Sequence, residues 1–135
     1  MNNKGFSLVE LLAAVLILGI ITMLSVMAYT KYLSSTRLKA YDTMAESAAN
    51  AAAQYSMEHI GVETVTFAEL VEGQYLEYTL DPASKTKKCS GQVDITHKEN
   101  YEGIDTEEYD VLVCCATYNY KYHFPGGKKI QYTCP

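Results

Sequence analysis

The sequence predicts an α+β fold: one long amino-terminal helix, about residues 7–59, packed on a small carboxyl-terminal antiparallel β-sheet. Three observations carry the prediction. An apolar run, Leu11 to Ala28, opens the chain; helical spacing continues to His59 with no Gly or Pro after Tyr29; and beyond Gln92 the apolar period shortens to two.

The opening run holds 18 residues, enough to cross a bilayer as a helix. Between Gly5 and Lys31 the one charged side chain is Glu10. An ionised carboxylate at the edge of hydrocarbon costs about 3 kcal/mol, so Glu10 needs a partner and reads as a functional residue. Past the run, Leu33, Tyr41, Met44, Ala48, Ala52 and Tyr55 recur near helical spacing, with Lys31, Arg37, Asp42, Glu46 and Glu58 on other faces. One continuous helix results, roughly 80 Å long at 1.5 Å per residue, and Gly61 supplies its stop. The stretch Ala45 to Ala53 lets a sheet or another helix approach closely, and reads first as core packing.

Thr66-Phe-Ala-Glu69 is a capping-box pattern that opens a short helix, Phe67 to Glu72, ended by Gly73. Phe67, Leu70 and Val71 then pin this connection to the long helix. From Gln92, Val93 and Ile95 alternate with polar neighbours; His97 to Glu108 reads as a polar loop, and Tyr109 to Phe124 as one long strand or two. On a single strand, Leu112, Cys114, Ala116, Tyr118, Tyr120, Tyr122 and Phe124 share one face. Pro125-Gly126-Gly127 turns the chain and Lys128 to Thr133 returns, giving a sheet of three or four strands.

The 135 residues suit one domain plus an anchor, with about a hundred residues left for a water-exposed core. A net charge of −5 excludes a general nucleic-acid surface. Lys85-Thr86-Lys87-Lys88 is the sole basic cluster beyond the helix; without aromatic partners it reads as a solvated loop rather than a nucleic-acid platform. Twelve Tyr and no Trp provide amphipathic rings suited to subunit contacts.

Cys89, Cys114, Cys115 and Cys134 lie outside the helix, and an even count in a small exported domain reads as two disulfides. Cys114 and Cys115 point to opposite faces of a strand, so each reaches Cys89 or Cys134 rather than the other. Of the two such pairings we favour Cys89 with Cys114 and Cys115 with Cys134. His59, His97 and His123 are far apart and in no nucleophile, phosphate or metal motif. A zinc site from Cys114, Cys115 and His123 lacks finger spacing, and Cys114-Cys115 is not the Cys-x-x-Cys of thiol-disulfide enzymes. No catalytic residue, cofactor or metal is expected.

Lys4-Gly5-Phe6-Ser-Leu-Val-Glu10-Leu-Leu resembles the prepilin motif of type IV pilins and pseudopilins. The resemblance implies a type IV pilin-like fold and cleavage after Gly5 by a membrane-embedded prepilin peptidase. It also implies methylation of the new terminal Phe6, and polymerisation in which Glu10 of an incoming subunit meets the Phe6 amine of a neighbour. A buried charge of this kind specifies register more than stability. Four residues apart, Phe6 and Glu10 fall on one face of a helix, and Gly5 gives a protease close access to the backbone. Cleavage removes Lys4 and takes the net charge to −6. Phe67 to Leu76 followed by Asp81-Pro82 is similar to a segment of short Gram-positive and type II secretion pilins. Many pilins have a Gly at the place of Gly19, but the Pro common further along is Met27 here. A straighter helix is therefore expected, with weak points at Gly19, Thr22 and Ser25.

The expected organisation is a leader at residues 1–5, a membrane and filament-core helix at 6–30, its amphipathic continuation at 31–61, and an exported globular part at 62–135. Expected partners are copies of the chain in a helical filament, the prepilin peptidase, the pilus assembly platform and, before assembly, the membrane; nucleic acid enters only if the fibre serves DNA uptake. The precursor is expected as a single-pass membrane protein with its amino terminus inside, and the mature chain in a cell-surface pilus. Lys31, Arg37 and Lys39 after the span argue for the opposite orientation by charge counting; the prepilin motif and the cysteines favour this one. Competing readings are a pseudopilin or minor pilin of a secretion or competence system, and a monomeric anchored or secreted binding module. A secretory signal cut at Val26-Met27-Ala28 exceeds the usual apolar core of roughly 7 to 15 residues and leaves Glu10 without a role. A plain anchor leaves Gly5-Phe6 unexplained as well.

Overall fold

The computed structural model describes residues 5–77, 79–84 and 86–135. The element order is α1 (Leu8–Glu58), β1 (Thr64–Thr66), α2 (Phe67–Glu72), β2 (Ser90–Glu99), β3 (Asp105–Cys114), β4 (Asn119–Phe124) and β5 (Lys128–Gln131). Residue contacts divide the chain into two units, Met1–Leu38 and Lys39–Pro135.

The first unit holds the amino-terminal part of α1. Ser7 stands at the helix start: its hydroxyl accepts from the Glu10 amide at 3.2 Å and its carbonyl from the Leu11 amide at 3.1 Å, which serves amides the first turn otherwise leaves unpaired. Glu10 in that turn complements the helix dipole. The helix runs unbroken through the three expected weak points. Thr22 Oγ1 donates to the Gly19 carbonyl at 2.9 Å and Ser25 Oγ to the Ile21 carbonyl at 2.7 Å, so both hydroxyls are absorbed by the helix itself.

In the second unit α1 buries one stripe: Tyr41, Ala45, Ala48, Ala49, Ala51 and Ala52. Methyl groups on that stripe allow close approach, and the core beside them is built from Val65, Phe67, Leu70, Val93, Ile95, Val111, Val113 and Tyr122. The Ala stretch is thus core packing, as expected. Gly61, with φ of +87°, takes the left-handed conformation that turns the chain out of α1. The capping box forms at α2, with Thr66 Oγ1 accepting from the Glu69 amide at 3.3 Å and Glu69 Oε2 from the Thr66 amide at 2.8 Å. Gly73 caps the far end with right-handed dihedrals, and Gln74 carries the positive φ.

The sheet is an antiparallel meander of five strands in the order β1-β2-β3-β4-β5, one or two more than the sequence predicted. Strand β1 was not foreseen because its three residues bury only Val65, too little for a period-two signal. The predicted loop His97 to Glu108 is largely strand, with β2 reaching Glu99 and β3 beginning at Asp105. Polar residues occupy both faces there because neither face is covered. Tyr109 to Phe124 falls in two strands, one of the two alternatives expected, and the face predicted for a single strand does not form. The chain reverses between Cys115 and Tyr118, where the Cys115 amide bonds the Tyr118 carbonyl at 2.9 Å. The reversal shifts the parity: β3 turns Val111 and Val113 inward, and β4 sets Tyr122 and Tyr120 opposite them.

The cysteine pairing is also corrected. The disulfides are Cys89–Cys115 and Cys114–Cys134, with Cα separations of 4.4 and 6.1 Å, not Cys89–Cys114 and Cys115–Cys134. The register explains it. Ser90 pairs with Cys114, so the next step of the antiparallel ladder sets Cys89 against Cys115. Cys114 also pairs with Asn119, whose carbonyl receives the Tyr132 amide, and this brings the chain end past Cys114.

Candidate functional site

Two groups of residues matter: the amino-terminal segment around Gly5, Phe6 and Glu10, and the polar contacts that hold the head together. Gly5, Phe6 and Ser7 precede the helix in an irregular, exposed stretch. The Gly5-Phe6 peptide bond is therefore exposed and outside regular structure. A Cβ on Gly5 would meet nothing within 4 Å, so no contact among the described residues requires glycine there. Phe6 is 81% exposed. It lies two residues before the first helical residue, so the shared helical face expected for Phe6 and Glu10 does not form within the chain. Lys4 lies outside the described residues.

Behind this segment every large apolar side chain from Phe6 to Tyr29 is more than half exposed, from 54% at Ile21 to 85% at Leu8. An apolar 18-residue window in α1 is long and greasy enough to cross a membrane, and none of it is buried. Each such side chain gains about 1.5–3 kcal/mol on leaving water, so the stretch demands lipid or like helices around it.

In the head, Asp81 is 1% exposed and was read from the sequence only as part of a family resemblance. The Tyr41 hydroxyl donates to its Oδ1 at 2.5 Å and the Ala83 amide to the same oxygen at 2.9 Å. Burial opposes the charged form, but these donors, with Lys87, outweigh it and hold the carboxyl below its ordinary range. Burial and the bond to Asp81 push the Tyr41 hydroxyl up to about 12. Tyr41 stacks on Tyr118 with centroids 3.9 Å apart; the Tyr118 and Tyr122 hydroxyls meet at 2.5 Å; and Tyr122 donates to Asp42, which also holds Lys129 at 3.2 Å. Helix α1 is thereby fastened to the loop before β2, to β4 and to β5. An Asp-Pro after a helix is a signal for such a turn, but its tyrosine partner 40 residues away is not local information.

Asp81, Cys89 and Cys115 converge closely enough to suggest a metal, yet both sulfurs are in one disulfide and supply no thiolate. The zinc set Cys114, Cys115 and His123 fails for the same reason, and His123 instead bonds Asp110 at 2.7 Å. Lys87 and Lys88 of the basic cluster are exposed, and Lys85 lies outside the described residues.

The family description "Prokaryotic N-terminal methylation motif" matches residues 1–26. The chain is 31% identical over 91 residues to the ComG operon protein 3 homolog of Bacillus licheniformis, covering 67% of this chain and 93% of that protein. No solved structure matches. The methylation motif, an uncovered apolar helix and a relative matched over nearly its whole length agree: the chain belongs to the type IV pilin-like family of pilins and pseudopilins.

Proposed function

We propose that this protein is the structural subunit of a type IV pilus. It is made as a single-pass membrane precursor with its amino terminus inside and cut by prepilin peptidase between Gly5 and Phe6. Methylated on Phe6, it then polymerises on an assembly platform by burying the apolar part of α1 against copies of itself. The observation that carries this reading is the uncovered apolar stretch of α1 directly behind an accessible Gly5-Phe6 bond. Glu10, in the first turn, meets the Phe6 amine of a neighbour, and the pair sets the register between subunits.

Glu10→Ala tests this. The subunit should stay at its normal level in the membrane while sheared filament yield falls at least about tenfold, the loss for ~1.4 kcal/mol per contact. Normal yield removes Glu10 from the mechanism. Likeness to the ComG operon protein 3 homolog favours a second reading, a pseudopilin or minor subunit of a competence or secretion system. Loss of fibres from a deletion strain supports the first reading; intact fibres support the second.

A further inference from the structure

Asp81, Cys89 and Cys115 fail as metal ligands in the oxidised head only because the two sulfurs are bonded to each other. Among the described residues they form the only group of three metal-ligating side chains, with a sulfur of each cysteine and a carboxylate oxygen all within 4.8 Å of one another. All three are buried, Asp81 1%, Cys89 5% and Cys115 8% exposed. Asp81 adds a second observation. Its Oδ1 accepts from Tyr41 and Ala83, but among the described residues no group donates a hydrogen bond to Oδ2. The Ala116 amide lies close enough to steady the charge, yet outside hydrogen-bond geometry to that oxygen. A buried carboxylate oxygen with free lone pairs is costly to keep, and beside two sulfurs it is a ready ligand. Backbone bonds set the three positions: the Asp81 amide donates to the Lys87 carbonyl at 2.8 Å, the Cys89 amide to the Thr79 carbonyl at 2.9 Å and the Cys115 amide to the Tyr118 carbonyl at 2.9 Å. None of these bonds involves a sulfur.

We propose that the head, while its cysteines are thiols, binds one zinc ion through Cys89 Sγ, Cys115 Sγ and Asp81 Oδ2, at the joint that the disulfide later takes over. Tetrahedral zinc holds thiolates at about 2.3 Å, which sets the two sulfurs about 3.8 Å apart. Side-chain rotation reaches that separation from Cα atoms 4.4 Å apart. Each thiol passes its proton to solvent on binding, and the ion's two positive charges cancel the two thiolates. The cluster thus keeps the single negative charge that Asp81 carries in the oxidised head. Tyr41 and Ala83, bonded to Oδ1, orient the ligating carboxylate. A groove of about 640 Å³ beside α2, lined in part by Thr79 and Cys89, gives the ion a way in. When a disulfide oxidant takes two electrons from the thiolates and two protons from solvent to become a dithiol, the Cys89–Cys115 bond forms and the ion leaves. The site is independent of filament assembly.

The test uses the full-length chain in detergent, reduced by a phosphine, which takes an oxygen from water as it becomes the oxide. Cobalt(II) is the probe, in place of spectroscopically silent zinc. One equivalent should raise a thiolate-to-cobalt charge-transfer absorption of two-thiolate strength, restore the near-ultraviolet tyrosine signal that reduction removes, and give way to added zinc. Cys114→Ser combined with Cys134→Ser should keep the absorption, and Cys89→Ser should abolish it. Asp81→Asn, whose folding is read in the oxidised chain, should bind cobalt at least about tenfold more weakly, the least that loss of even an orienting partner costs. No absorption at one equivalent, an absorption that disappears with Cys114 and Cys134, or undiminished affinity in Asp81→Asn overturns the site. So does an absorption of four-thiolate strength, which needs no variant to interpret.

Discussion

Tyr41→Phe removes one oxygen from a buried contact and is the sharpest probe of how the head is held to α1. Asp81 is 1% exposed, and the Tyr41 hydroxyl lies 2.5 Å from its Oδ1. A hydrogen bond to a charged, buried group contributes about 1.5–3 kcal/mol, and the ring that remains keeps its stack on Tyr118. The variant should lose that amount in urea unfolding of the full-length chain in detergent, followed by the near-ultraviolet signal of its tyrosines. The pH dependence carries a second signature. The Asp81 carboxyl is held below its ordinary range in the folded head, so the unfolded chain binds its proton first as pH falls. Its stabilising share is complete above about pH 4 and is lost as pH drops through the folded value. Tyr41→Phe lets that value rise and flattens the acid limb; Asp110, held low beside His123 and Lys121 despite its burial, keeps its own share. A loss under about 0.5 kcal/mol, or an unchanged acid limb, refutes the reasoning.

Gly91→Ala should destabilise the head by about 1–3 kcal/mol, because the new Cβ would lie 2.1 Å from the Leu112 carbonyl oxygen and 2.8 Å from the Phe67 ring; a wild-type thermal midpoint contradicts that packing. Peptide mapping without reduction should recover Cys89 joined to Cys115 and Cys114 joined to Cys134, and four free thiols would contradict the fold of the head. These bridges span sequence separations of 26 and 20 residues, so by loop entropy each contributes about 3 kcal/mol. Reduction should therefore melt the near-ultraviolet signal of the sheet while the far-ultraviolet helix signal persists, and joint loss of both would refute independent stability of α1.

The long helix was legible in the sequence because its signals are local: an unbroken apolar run, helical spacing, and Gly61 at the end. The capping box at Thr66 was legible for the same reason, since its two partners are three residues apart. Strand parity was not. Tyr109 to Phe124 alternates smoothly enough to pass for one strand, and nothing in Cys115 to Tyr118 announces a reversal without Gly or Pro. The disulfide pairing was missed for a separate reason: the choice between Cys114 and Cys115 depends on the register of β2 on β3, Ser90 with Cys114, which no local signal carries. The fastening of Tyr41 to Asp81 joins residues 40 apart and needs the fold before it can be seen. The amino-terminal motif was readable residue by residue, yet Phe6 precedes the helix instead of sharing its face with Glu10.

The most direct test is the mass and amino-terminal sequence of the subunit recovered from sheared surface filaments. A chain that begins with methylated Phe6 is the expected result. Filaments built from a chain that retains Met1 to Gly5, or a chain that begins at Tyr29, would contradict assembly through a trimmed α1.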